Sequence, residues 1–153
     1  MTLINWRNRQ VGDSFTINIE KTGPIQFTTT FDKAFPELLF DEDKTVGGED
    51  KYPNPSRVLT AAVASCLSAS LTLCLNKSRI PVDHMKTIAT CSITNNAEGY
   101  QRIAQIDVKI IPKWDSDINM KKKTRCAKIF KNLCVATNAI INEVPVNVDV
   151  QLE

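Results

Sequence analysis

The sequence predicts an α+β fold with mainly antiparallel strands, a long buried central helix and a second, amphipathic helix. Three observations carry that expectation. Apolar residues alternate with polar ones near both ends, in Phe15, Ile17 and Ile19 and again in Val144, Val146, Val148, Val150 and Leu152, the period of a half-buried strand. Between Val58 and Leu75 no residue is charged. Between Ile118 and Ile140 apolar residues (Cys126, Ile129, Phe130, Leu133) recur at three- and four-residue steps, as on one face of a helix. Strands that come in groups, rather than alternating one for one with helices, pair mainly antiparallel. At 153 residues the chain is expected to form a single domain, residues 1–153, with a core of its own.

The elements follow in order. Gly23-Pro24 marks a turn after the first strand, and residues 25–31, rich in β-branched and aromatic side chains, read as the second. Residues 41–55 form a long, charged connection holding Gly47-Gly48, Pro53 and Pro55, and long connections in small domains are often functional. Asn54-Pro55 suits the cap and first position of a helix, which runs through the uncharged segment and ends between Asn76 and Arg79, before Pro81. A helix that is apolar on nearly every side must be covered by the rest of the fold or by a partner subunit. The run falls short of the about 20 apolar residues of a membrane span and is dotted with Ser and Thr, so no membrane partner is expected. Residues 87–94 and 103–111 read as a hairpin, joined through Asn95-Asn96-Ala97-Glu98-Gly99 by a loop longer than two residues. Asp115-Ser116-Asp117 offers capping side chains for the second helix, and residues 144–152 make the last strand.

Composition excludes several functions. A net charge of +2 gives no footing for nucleic-acid binding, and Lys121-Lys122-Lys123, with no interleaved aromatics, reads as the solvated start of a helix. The five cysteines, Cys66, Cys74, Cys91, Cys126 and Cys134, include no CxxC pair. His84 is the single histidine, so no metal is expected. An odd cysteine count without a basic, apolar leader points to a cytoplasmic protein with reduced thiols.

A cysteine becomes a nucleophile only where cations, backbone N–H groups or hydrogen bonds stabilise its thiolate. Spacing leaves the choice open. Cys66 and Cys74 stand eight residues apart on one helix, Cys126 and Cys134 eight apart on the other, and Cys91 lies in a strand. Each of the five can equally be a small core residue.

The motifs around two of them narrow the choice. Gly47-Gly48, followed by Asn54-Pro55-Ser56-Arg57 and the Ala-rich run that ends in Ala64-Ser65-Cys66-Leu67, resembles the hallmark of the OsmC/Ohr family, the osmotically induced protein C and organic hydroperoxide resistance proteins. Cys134-Val135-Ala136-Thr137-Asn138 is similar to that family's second motif, Cys-Pro-Val-Ser-Asn, and the strand Val144-Pro145-Val146-Asn147-Val148 follows it. The likeness spans residues 14 to 152. It implies an OsmC-like fold and an intertwined homodimer with the long helices at its centre. It also implies a cofactor-free thiol peroxidase that reduces organic hydroperoxides or hydrogen peroxide in oxidative stress defence. Cys66 matches the peroxidatic cysteine, which is oxidised to a sulfenic acid. Cys134 matches the resolving cysteine, which closes a Cys66–Cys134 disulfide that a small thiol or dithiol then reduces.

Two positions depart from the pattern. Ser56 stands where the organic hydroperoxide branch has a glutamate, ten residues before the peroxidatic cysteine, and Val135 stands where the family has proline. Arg57, Glu49, Arg7 and Arg9 are therefore the candidates to stabilise the thiolate. Two rival readings stand beside the peroxidase: an OsmC-like protein that binds a small acyl, thiol or nucleotide-like ligand in the dimer cleft, and a structural dimer in which all five cysteines only pack.

Overall fold

The computed structural model describes residues 13–114 and 119–152, which divide into two compact units, one ending at Asn54 and the other starting at Pro55. In the first unit β1 (Ile17–Lys21), β2 (Phe27–Phe31) and β3 (Leu38–Phe40) form an antiparallel sheet in that order. The Gly23-Pro24 turn is closed by the Thr22 N–H, which donates to the Gln26 carbonyl at 2.9 Å. The half-buried first strand is corrected: all of β1 is exposed, and Phe15, Ile17 and Ile19 present apolar side chains to solvent in the single chain. β3 has no counterpart in the sequence pattern, because three residues are too few to display a period.

One carboxylate organises the connection after β3. Asp41, only 1% exposed, accepts the backbone N–H of Glu42 (2.8 Å), Glu49 (3.2 Å) and Lys51 (3.0 Å) and the side-chain amide of Gln26 (3.2 Å). Burial pushes its acidity toward the neutral form, but the hydrogen bonds, led by Lys51 and Glu49, outweigh it and hold the carboxyl below its ordinary value. The loop is wound so tightly that a Cβ on Gly48 would overlap the Glu42 carbonyl, and Gly47 takes φ +93°, which glycine alone adopts freely.

The second unit holds α1 (Pro55–Lys77), β4 (Met85–Asn95), β5 (Gln101–Pro112), α2 (Met120–Ile129), α3 (Val135–Ile140) and β6 (Val146–Val150). Its sheet runs β4-β5-β6. β4 and β5 are the expected hairpin, antiparallel, with Asn96 Oδ1 accepting the N–H of Glu98 (3.1 Å) and Tyr100 (2.8 Å) across the turn. β6 lies parallel to β5, the one parallel pairing among the described strands; a parallel neighbour requires a crossover, which α2 and α3 supply.

α1 starts at Pro55 as its sequence predicts. Val63, Leu67, Leu71 and Leu75, four residues apart, form one fully buried stripe, packed with Ile106 and Ile110 of β5 and with Phe130. Each such side chain stabilises the fold by about 1.5–3 kcal/mol. Leu59, at the N-terminal end of the same row, and Leu73, on another face, are exposed in the single chain. By length and hydropathy alone α1 could cross a membrane, and 44% of its most apolar stretch is buried inside the fold.

The second helical segment is not one helix. α2 ends at Ile129, a 3-10 turn covers Phe130–Leu133, and Cys134, in extended conformation, caps α3. The Cys134 sulfur accepts the Thr137 N–H at 3.3 Å, the donor that a continuous helix would give to a backbone carbonyl, so the chain breaks there. Asp115-Ser116-Asp117 and Ile118 lie outside the described residues; the cap of α2 is Asn119, which accepts the Lys121 N–H at 2.9 Å. The basic run also needs correction. Lys121 and Lys122 are solvated, but Lys123 is buried, its Nζ 4.6 Å from the Trp114 ring centre and 3.5 Å from the Leu152 carbonyl.

Near the C-terminal end of α1 the Cys74 thiol donates to the Cys126 sulfur at 2.6 Å. Burial first, then the hydrogen bond to Cys126 and its charge, push the Cys74 thiol up to about 11. An acid whose pKa is higher when folded holds more protons in the native state, so stability falls as pH rises from 9.0 to about 11. Equilibrium urea unfolding is expected to lose about 2–3 kcal/mol over that window, and the Cys74→Ala variant to lose measurably less.

Candidate active site

Cys66 stands midway along α1, half-buried, whereas Cys134 is fully buried at the cap of α3. Packing of α1 against the 3-10 turn and α3 sets the two cysteines close enough that each shifts the acidity of the other. The Cys134 thiol and the backbone N–H groups of Ala136 and Val135 are the neighbours that lower the Cys66 pKa. Ser70 is a fourth group beside it, with its hydroxyl donating to the Cys66 carbonyl at 2.8 Å.

The electrostatics of the two thiols run in opposite directions. Burial pushes Cys66 up, but the donors, led by the Cys134 thiol, outweigh it and hold Cys66 below the ordinary thiol value. Burial and then the hydrogen bond to Cys66 push Cys134 up, and Thr137 offsets this only in part. The Cys134 proton has two acceptors in reach, Thr137 Oγ1 at 3.0 Å and the Cys66 sulfur. One thiol is thus poised to ionise while its neighbour keeps a proton.

Arg57 is exposed in the first turn of α1, nine residues before Cys66 and so about 13 Å away along the helix axis. Glu49 is paired to Lys51 at 2.6 Å and accepts from Gln26 at 2.9 Å. Arg7 and Arg9 lie outside the described residues. After burial, the strongest influences on Cys66 are a thiol, two backbone N–H groups and a hydroxyl, none of them cationic. Sequence reasoning did not single out Ser70, Thr137 or the two backbone donors. Ser70, one helical turn after Cys66, and Thr137, three residues after a capping position, had spacings that could have revealed them. Backbone N–H groups leave no side-chain signal. Among the described residues no group of three or more His, Cys, Asp or Glu side chains could hold a metal ion.

Val135 has a visible consequence. Proline there would preset the helix start but would carry no N–H. In this chain the Cys134 cap already starts α3 at Val135, and the Val135 N–H is free to serve Cys66. Val135→Pro is expected to slow Cys66 alkylation at neutral pH roughly tenfold, the worth of one hydrogen bond to a charged group, and to move its pH midpoint upward. Iodoacetamide labelling rates measured across pH would check both.

Against known proteins, the family model described as OsmC-like protein matches residues 48–149, a segment that contains Cys66, Cys134 and the strands and helices between them. The chain belongs to the OsmC-like family. No curated protein matches it in sequence. Among solved structures it is similar to an organic hydroperoxide resistance protein from Elizabethkingia anophelis (17% identity, TM-score 0.74, 94% of this chain and 99% of that one). It is also similar to an OsmC-like protein from Mycoplasma pneumoniae (19%, 0.75, 92% and 98%) and to an OsmC-like protein of unknown function from Vibrio cholerae (13%, 0.76, 92% and 100%). At these identities what is shared is the fold. The matched segment includes α1 and both thiols.

Proposed function

We propose that this OsmC-like protein is a cytoplasmic, thiol-dependent peroxidase that reduces organic hydroperoxides or hydrogen peroxide in oxidative stress defence. The reading is supported by the pairing of two neighbouring thiols: a half-buried Cys66 whose pKa is lowered, against burial, by Cys134 and two backbone N–H groups, beside a fully buried Cys134 whose pKa burial raises. In the proposed cycle the Cys66 thiolate attacks the terminal oxygen of the peroxide and the O–O bond breaks. The alcohol, or water, leaves with a proton, and Cys66 becomes a sulfenic acid. Cys134 then attacks the Cys66 sulfur, its proton leaves with the hydroxyl as water, and a disulfide forms. A small thiol or dithiol restores both thiols by exchange. Neither a metal nor another cofactor, and no nucleic-acid or membrane partner, enters this reading.

The reading takes residues 1–153 as a single domain that works as a homodimer. It is supported by the apolar side chains exposed in the single chain, Phe15, Ile17 and Ile19 of the first unit and Leu59 and Leu73 on α1. Arg57, Glu49, Arg7 and Arg9 stay in the proposal as groups that could supplement the donors on Cys66 once a dimer forms. The names of the hydroperoxide resistance proteins that share the fold agree with this chemistry. Peptide mass spectrometry after one equivalent of cumene hydroperoxide tests it. A Cys66–Cys134 crosslink is expected within one turnover; full recovery of both residues as alkylated thiols would remove the two-thiol cycle.

A further inference from the structure

The peroxidase reading uses two of the five cysteines and leaves the closest pair of sulfurs unexplained. Cys74 and Cys126, 5% and 1% exposed, stand 2.6 Å apart, little more than the about 2.05 Å of a disulfide bond. Each lies eight residues from a member of the first pair, Cys74 after Cys66 and Cys126 before Cys134. α1 and the α2–α3 segment are therefore joined by two thiol rungs, about 12 Å apart along α1. Core packing alone asks only for small apolar side chains here and does not bring two sulfurs into line.

We infer that Cys74 and Cys126 are a second redox site, a dithiol that small peroxides convert to a disulfide staple between α1 and α2. The reaction balances without a cofactor. The Cys126 sulfur accepts from the Cys74 thiol at 2.6 Å and stands 3.3 Å from the Ser78 hydroxyl, which makes it the better-placed nucleophile of the pair. Its thiolate attacks one oxygen of hydrogen peroxide, the O–O bond breaks, and hydroxide leaves to become water, which gives a Cys126 sulfenic acid. The Cys74 sulfur displaces the sulfenic oxygen, its proton leaves with that oxygen as a second water, and the disulfide closes. Two thiols lose two electrons and one peroxide gains them.

Burial decides how the site behaves. Bulky organic hydroperoxides that reach the half-buried Cys66 do not reach a pair buried to this degree, so the staple favours hydrogen peroxide. The high pKa of Cys74 keeps its thiolate scarce near neutral pH and makes closure slow. A closed disulfide shielded from solvent is equally slow to be reduced. The second rung therefore registers sustained exposure, while the first turns over.

The test separates the two rungs. The Cys66→Ser/Cys134→Ser double variant is treated for hours with excess hydrogen peroxide, alkylated in denaturant and mapped by mass spectrometry. A Cys74–Cys126 crosslink is expected, together with a rise in Tm on the order of 10 °C that dithiothreitol reverses after unfolding. Cumene hydroperoxide at the same concentration is expected to form it at least about tenfold more slowly. Recovery of both residues as alkylated thiols, or as sulfinic acids without a crosslink, would overturn the inference. Wild-type protein is mapped in parallel in case the double variant folds poorly. The Cys74→Ala single variant should keep the Cys66–Cys134 crosslink, and Cys74→Ala added to the double variant should abolish the peroxide-dependent rise in Tm; an unchanged rise there would also overturn the inference.

Discussion

Cys66→Ser is expected to lower thiol-dependent hydroperoxide consumption by a factor on the order of 10³ or more, because it removes the nucleophile itself rather than a group that assists it. The serine hydroxyl keeps the volume and the backbone donors of Ala136 and Val135, so the loss measures sulfur chemistry and not folding. Cys134→Ser separates the two halves of the cycle. Its first peroxide is still consumed at Cys66, but no internal disulfide closes, and Cys66 accumulates as a sulfenic acid that further peroxide takes to sulfinic acid. Single-turnover peroxide consumption and intact mass together read out both variants. Equal loss in the two variants during the first turnover would show that Cys134 does more than resolve, acting instead as a proton donor that Cys66 needs to ionise. The direction of the Cys66 shift gives the pH dependence. Reactivity should rise through a midpoint below that of an ordinary thiol, and the Cys134→Ser variant should move that midpoint only where the hydroxyl is a poorer donor than the thiol it replaces.

The sequence was most legible where a pattern repeats. The alternation of Val146, Val148 and Val150 and the uncharged run through α1 each span enough residues to state a period, and the structure places a strand and a helix there. Legibility failed where a single tertiary contact decides. The apolar spacing through Phe130 and Leu133 is helical, yet a thiol cap at Cys134 ends one helix and starts another within that spacing. Ile17 and Ile19 alternate like a half-buried strand, yet among the described residues nothing covers them, since alternation reports a face and not what lies against it. Lys123 sits in a basic run but folds over Trp114, a contact between elements that local charge does not encode. The site divides along the same line. Cys66 and Cys134 stood out through motif resemblance, whereas spacing alone treated them like Cys74 and Cys126. Two of the groups that lower the Cys66 pKa are backbone N–H groups whose positions exist only once α3 is folded against α1.

Phe130→Ala should have the largest effect on stability and should link the core to the site. Phe130 is fully buried where α2 gives way to the 3-10 turn, in the cluster with Leu67 and Leu71 of α1. Truncation of a buried phenylalanine removes both its transfer energy and the contacts around the cavity it leaves, which costs about 3–5 kcal/mol. For a chain of this size that corresponds to a fall in Tm of roughly 10 °C or more. The site should follow, because the turn that Phe130 anchors carries Cys134 to its position at the cap of α3. Formation of the Cys66–Cys134 crosslink is therefore expected to slow under conditions where the variant is still folded. Leu133→Ala is the matched control. Leu133 ends the same turn but is 47% exposed, so its loss should change stability by no more than about 0.5 kcal/mol and leave the crosslinking rate unaltered. Should Leu133→Ala slow crosslinking as much as Phe130→Ala, the position of Cys134 would depend on the conformation of the turn itself, and the buried ring beneath it would be a source of stability alone.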